Sequence, residues 1–306
     1  MLQDTIKFQE TVTLNRTGKP FEALEINGIP KALQRAQRYA KKAYANKGGF
    51  VFAAPDLVKQ RIEHPTKEHP FWRWYTLLTE EIRIEGYHLI IHGGYVLNTP
   101  KRIEQALAHP KGLVNGAGRL TDEEVSRLVL AVKLKQGHID NKIPLFLFAK
   151  FKELKQEDIA NLSRRAYGII LNESESRALS SNKHPLDNLI ENPRFISRAG
   201  GREQSESYVS TLRKLGANQY GNWYNSDEDT SNLLVLGDSF VSAFDGYGHL
   251  DYFARFFGVS SDAEGIAKIS PNLDERLKIL NASGITPKEL RKAIDLYNSA
   301  NSILKK

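Results

Sequence analysis

Leu113-Val-Asn-Gly-Ala-Gly-Arg-Leu120 reads as a glycine-bearing turn after a strand, carrying one arginine. Thr121, with Glu124 three residues on, has the spacing of a capping box and predicts a helix start at that point. Val125, Leu128, Val129 and Val132 supply the apolar face of that helix. Strand, small-residue turn and capped helix together describe an anion site, because N–H groups at a helix N-terminus point outward unpaired. Arg119 adds a planar fork suited to phosphate, with Asn115 and Gly116 in the turn beside it. Behind this stretch, Ile143-Pro-Leu-Phe-Leu-Phe148 is an apolar run of buried-strand type.

Composition sets the frame around that stretch. At 306 residues, 41% hydrophobic and 26% charged, the chain is ordinary for a folded protein and long enough to bury a sizeable core. No apolar run approaches a membrane span, and the first residues lack the apolar core of a signal peptide. The absence of cysteine excludes disulfides, thiolate metal sites and thiol nucleophiles, and suits a cytoplasmic location. The net charge of +7 is unevenly spread. Residues 1–47 carry nine Lys/Arg against four Asp/Glu, whereas residues 223–264 carry eight acids against Arg255 alone. A basic N-terminal segment points to a polyanion, nucleic acid first among them.

In chain order, Ile6, Phe8, Val12 and Leu14 share one parity and predict a half-wet strand. Pro30 opens a helix that Gly48-Gly49 closes. Leu33, Ala36, Ala40 and Ala43 form its apolar stripe. Lys31, Arg35, Arg38 and Lys42 recur at spacings of four, three and four, so they line another face able to track phosphates without reading bases. Phe50–Ala54 reads as a short strand stopped by Pro55-Asp56, a pairing reminiscent of a nuclease acid but without a following Glu-x-Lys strand. Phe71 starts an aromatic helix to about Glu81, and Tyr87–Leu97 reads as a strand with a glycine bend. His88 and His92 on that strand share a face about 13 Å apart, too far for one metal ion, and no metal site is expected. A short helix spans 100–109, and another runs from Leu154 to about Leu171.

The order of these pieces resembles the DGQHR-domain (DndB-like) proteins, a group likened to the ParB/sulfiredoxin fold. Asn115-Gly116-Ala117-Gly118-Arg119-Leu120 stands where that family has Asp-Gly-Gln-His-Arg-Leu, followed by Ile143-Pro144-Leu145 and Asn172. The similarity covers roughly residues 25–190. It implies a DNA-linked role, such as regulation around DNA modification or phage defence. With Asn115 and Gly118 in place of the acid and the imidazole, what carries over is anion or DNA binding by Arg119.

Residues 192–232 read as a polar loop or domain junction with a helix over Ser207–Leu215, and Arg194, Arg198 and Arg202 recur in it every four residues within reach of phosphate. Leu233–Phe240 is a strand ending in Gly237-Asp238-Ser239, which resembles the nucleophile block of SGNH hydrolases. Only His249 follows it as a base, without convincing placement. Tyr252–Asp262 and Ser283–Leu290 have a helix-turn-helix look, and a final helix is expected over about Pro287–Leu304.

The resulting expectation is an α/β protein, with a mixed-sheet domain over 1–200 and a mainly helical domain over 201–306. Its leading function is nucleic-acid binding, DNA before RNA, through Lys31, Arg35, Arg38, Lys42, Asn115, Gly116, Arg119, Arg194 and Arg198. The alternatives are an enzyme acting on a nucleotide or nucleic-acid phosphate, and a structural protein that assembles as a homo-oligomer. The sequence leaves any cofactor open.

Overall fold

The computed structural model describes residues 7–9, 21–25, 28–42, 50–133, 137–140, 142–162, 166–237, 243–246, 250–251 and 254–259. The elements begin with β1 (Lys7–Gln9), β2 (Phe21–Glu25), α1 (Ile29–Lys42), β3 (Phe50–Val51) and α2 (Ala54–Glu63). Then come β4 (Tyr75–Ile84), β5 (Tyr87–His92), α3 (Pro100–Ala108), β6 (Leu113–Val114), β7 (Ala117–Arg119) and α4 (Asp122–Lys133). The middle holds β8 (His138–Ile139), β9 (Ile143–Leu147), α5 (Phe148–Phe151), α6 (Gln156–Leu162), β10 (Tyr167–Leu171), α7 (Glu173–Ser176) and β11 (Lys183–Pro185). The described part closes with α8 (Pro193–Ala199), α9 (Arg202–Lys214), β12 (Gln219–Tyr224), β13 (Thr230–Leu236), β14 (Ala243–Gly246) and β15 (Ala254–Val259).

Among the described residues, eleven strands make one mixed sheet in the order β11-β12-β14-β13-β4-β5-β10-β9-β8, with the β6-β7 hairpin branching from β13. Its centre is β4, Tyr75-Thr-Leu-Leu-Thr-Glu-Glu-Ile-Arg-Ile84, bonded to β13 on one side and β5 on the other. Strand parity sends alternate side chains of β4 to two separate cores. Ile82 and Ile84 join Leu89 and Ile91 of β5 in a core closed by α1, α3 and α4. Leu77 points the other way, into a core with residues of α2, α8 and α9. On that second face, Ile90 of β5 and Tyr167, Ile169 and Leu171 of β10 pack with Phe148, Ile159 and Ile196. Burial on both faces is why β4, β5 and β10 lack the clean polar alternation of a surface strand.

A second, four-stranded sheet has the order β1-β2-β15-β3. Helix α1 lies across β2 and β15 with Leu33, Ala36 and Ala40 buried. Its approach is so close that a Cβ on Gly258 would stand 2.5 Å from the Ala36 carbonyl oxygen. Phe257 of β15 stitches the sheets together, with its ring 5.1 Å from Phe52, 5.3 Å from Phe71 and 4.8 Å from Tyr75. The Phe52 amide donates to the Phe257 carbonyl at 2.9 Å, and the Leu78 amide donates to the Phe52 carbonyl at 2.8 Å.

Several local expectations give way to long-range pairing. A mainly helical domain after residue 200 does not form: the described residues there hold one helix, α9, and four strands. Strand β13 pairs with β4 in the middle of the main sheet, so residues on both sides of position 200 share one sheet. Residues 254–259, expected to be helical, pair with β2 as a strand. The aromatic run after Phe71 makes only a 3-10 turn over Pro70–Trp72 before entering β4. The helix expected through Leu171 ends at Leu162, and Tyr167–Leu171 inserts between β5 and β9. Residues 192–214 are two helices, with Asn192 capping α8 through the Phe195 amide at 2.9 Å. The segments around Ser283–Leu290 and Pro287–Leu304 lie outside the described residues. No helix among the described residues is long and apolar enough to cross a membrane.

Candidate functional site

The opening stretch folds as a β-hairpin. Asn115 (φ 49°) and Gly116 (φ 83°) occupy its two-residue turn, the positive pair that a type I′ hairpin requires. Asn115 Nδ2 donates to Asp227 Oδ2 at 2.8 Å, and the Gly116 carbonyl accepts from the Leu250 amide at 2.9 Å. The turn itself is thus spent on protein contacts and sits beside a carboxylate, a poor place for phosphate. Arg119 emerges at the other end of the hairpin, where β7 pairs with β13.

Arg119 borders an open cleft of about 790 Å³, within the size range of small-molecule sites. Arg102, Gln105, Ala106 and His109 of α3 and its C-terminus line it. Lys111, Gly112, Arg119 and Leu120 continue the wall into the hairpin, and Thr121 and Asp122 complete it at the start of α4. The floor is buried and apolar at Ala106 and Leu120, while Gln105, His109, Lys111, Arg119 and Asp122 are exposed. Gly112 is required there, since a Cβ would lie 2.0 Å from the Ala106 carbonyl oxygen.

The walls are tied to one another. Arg119 Nε donates to the Lys111 carbonyl at 2.9 Å, and the Arg119 amide donates to the Gly112 carbonyl at 2.8 Å. That leaves both Nη groups of Arg119 without a protein acceptor among the described residues. His109 Nδ1 accepts from the Lys111 amide at 3.1 Å, which fixes the ring and turns Nε2 away from the backbone. Arg102 grips Glu124 through Nε (2.9 Å) and Nη2 (2.8 Å), and Nη2 also donates to the Arg119 carbonyl at 2.8 Å. The expected capping box is present: the Thr121 amide donates to Glu124 at 2.8 Å, and Thr121 Oγ1 accepts from the Glu124 amide at 3.2 Å. Burial pushes the Glu124 carboxyl up, but Arg102 and the Thr121 amide outweigh it and hold it below the usual carboxylate range. Arg102 and Glu124 neutralise each other, so Lys111 and Arg119 carry the cleft's positive charge against Asp122.

The other cations expected at a site are dispersed. Helix α1 packs against α3, with Gln37 Nε2 donating to the Asn98 carbonyl at 2.8 Å. Lys31 and Arg38 are exposed on it and Arg35 is half-buried. Lys42 ends the helix, and its side chain lies outside the described residues. Helix α3 contacts both α1 and β7.

Arg194 and Arg198 are fully buried and cannot reach an external phosphate. Arg198 holds Glu81 through Nε (2.5 Å) and Nη2 (2.7 Å), and donates to Asn222 Oδ1 and to the Trp223 carbonyl at 2.6 Å each. Arg194 donates to the carbonyls of Ser176 (2.5 Å), Leu179 (3.1 Å) and Asn222 (3.2 Å), with its guanidinium 3.8 Å from the Tyr224 ring centre. The four-residue spacing that suggests a solvent stripe is instead the inner face of α8. Arg202 is exposed and paired with Glu191 and Glu206.

The remaining candidate chemistries also resolve into contacts. His92 Nε2 lies 2.9 Å from the Ser197 carbonyl and Nδ1 lies 3.0 Å from Thr79 Oγ1. His88 Nδ1 lies 3.1 Å from Ser176 Oγ, with Nε2 3.3 Å from Glu81. Asp56 accepts from the Ala53 amide at 2.8 Å as part of the cap of α2. The Gly237 carbonyl accepts from Arg61 Nη2 at 2.7 Å, and Asp238 and Ser239 lie outside the described residues. Among the described residues, no group of three or more His, Asp or Glu side chains is placed to hold a metal ion. Sequence reasoning missed Lys111, His109 and Gln105, whose spacing from Arg119 follows no helical or strand period.

No family model and no curated protein matches this sequence. One solved structure does, described as "Accommodation of massive sequence variation in Nanoarchaeota by the C-type lectin fold". It is 21% identical, with a TM-score of 0.57 over 80% of this chain and 99% of that one. The likeness speaks to the fold alone and says nothing of DGQHR domains.

Proposed function

We propose that this chain is a binding protein whose cleft at Arg119 takes phosphate groups of a nucleic acid, DNA first. The observation that carries this reading is the pairing of two exposed cations, Lys111 and Arg119, on a wall braced by three hydrogen-bonded elements. An exposed guanidinium already braced through Nε loses little freedom on gripping a phosphate. Lys31 and Arg38 on the neighbouring helix add long-range attraction for a polyanion. The DNA-linked role implied by the DGQHR resemblance agrees with this reading.

Filter binding to DNA across a salt series tests it. Two phosphate contacts at the cleft give a slope of log K against log salt of about −2 for duplex. Arg119→Ala is expected to weaken binding and flatten that slope by about 1. Absence of binding at low salt, or an unchanged slope in Arg119→Ala, would refute the assignment.

A further inference from the structure

The cleft is larger and more apolar than two phosphate contacts need. Its floor, at Ala106, Gly112 and Leu120, is carbon-rich, and two flat polar side chains of α3 and its C-terminus, Gln105 and His109, stand over it. The His109 ring is held by the hydrogen bond from the Lys111 amide, so it presents a fixed face and one outward nitrogen. The Gln105 side chain is exposed on the same helix, one turn earlier. Cations for an anionic group, an apolar floor, a ring face and an amide edge are the complement of a single nucleotide.

We propose that the cleft holds one unpaired nucleotide unit. Its phosphate meets Arg119 and Lys111, its base lies against the His109 ring, and the Gln105 amide bonds the exposed base edge. This rests on the phosphate reading given above and narrows it. Base pairs in a duplex keep their faces stacked and unavailable, whereas a single strand or a free nucleotide offers both face and edge. The acidic Asp122 at the rim favours a ligand that brings one phosphate at a time over a continuous double row.

The test compares three probes on the intact chain: a short single-stranded DNA, the duplex of the same sequence, and a free nucleoside monophosphate as competitor. The expected result is tighter binding of the single strand than of the duplex. His109→Ala should weaken the single strand by about fivefold, the low end of a base-stacking contribution, and leave the duplex unchanged. Competition by the monophosphate identifies a free nucleotide as a sufficient ligand, and competition only by a strand assigns the site to polymer; both support the proposal. Equal affinity for duplex and single strand, with no effect of His109→Ala or Gln105→Ala, overturns it while leaving phosphate binding in place. Absence of binding to every probe overturns both. Circular dichroism of each exposed-site variant, unchanged from the parent, separates lost binding from lost folding.

Discussion

Replacing Arg198 with Met removes the counter-charge of a carboxylate sealed inside the sheet. Glu81 and Arg198 both sit in the core, with two charge-assisted hydrogen bonds between them. Burial pushes the Glu81 carboxyl up, but Arg198, and then His88, overcome it and hold the group ionised far below the usual carboxylate range. Without Arg198 its largest stabilising partner is gone, and Glu81 is left to His88 or must take up a proton. Removing one member of a buried pair costs about 3–5 kcal/mol, a large part of the roughly 5–15 kcal/mol that holds a typical protein folded. At about 2.1 cal/mol/K of unfolding entropy per residue, each 1 kcal/mol is worth about 1.6 °C in a chain of 306 residues, so Tm should fall by about 5–8 °C. The assay is thermal and urea unfolding of Arg198→Met, Glu81→Met and the double variant. The double variant should be more stable than Arg198→Met alone, because it leaves no unpaired charge. A loss below about 1 kcal/mol in Arg198→Met, or simple additivity in the cycle, would refute the view that the pair acts as one buried unit.

Three further outcomes are expected. The Ser197 carbonyl can only accept, so His92 Nε2 carries its proton, and in the neutral ring Nδ1 accepts from Thr79 Oγ1. Burial lowers the His92 pKa to about 4 and that of His88 to about 3. Both contributions are therefore intact above the unfolded value near 6.5, and each is lost at about 1.4 kcal/mol per pH unit as pH falls below it. Urea unfolding between pH 7 and 4 should show this slope, and His92→Gln should reduce it. Gly94 (φ 73°) sits where a Cβ would meet Asn98 at 2.7 Å and the Glu80 carboxylate at 2.9 Å. Gly94→Ala should cost at least about 1–2 kcal/mol from backbone conformation alone, measured by denaturant unfolding. Thr121→Ala removes one half of the capping box on α4 and should cost about 1 kcal/mol. Because Glu124 also anchors Arg102 at the cleft wall, the same variant should weaken nucleic-acid binding without changing its salt slope.

The candidate site was legible in part. Arg119 is identifiable because glycines around a lone arginine mark a turn, and a capping box marks the helix beyond it. Its partners are not. Lys111 and His109 lie in an unremarkable connection, and only the hairpin bending back onto α3 brings them beside Arg119. Arg194 and Arg198 illustrate the converse. A four-residue period fixes a helix face, but the side on which a sheet closes over it decides whether that face meets water.

What the sequence determined by itself lies within short spans of chain. Pro30 and Pro100 at helix starts, the Thr121 cap, the Asn115-Gly116 turn and the apolar strand at Ile143 all rest on local chemistry. The tertiary structure decided the rest. Tyr75–Ile84, Tyr167–Leu171 and Ala254–Val259 are strands because partners far along the chain accept their backbone hydrogen bonds. β15 pairs with β2 across more than 200 residues, and no local periodicity records that partnership. A strand buried on both faces loses its alternation, and a short apolar run fits helix and strand alike until a sheet supplies its neighbours. The same closure turned a lone arginine on a hairpin into one wall of a cleft.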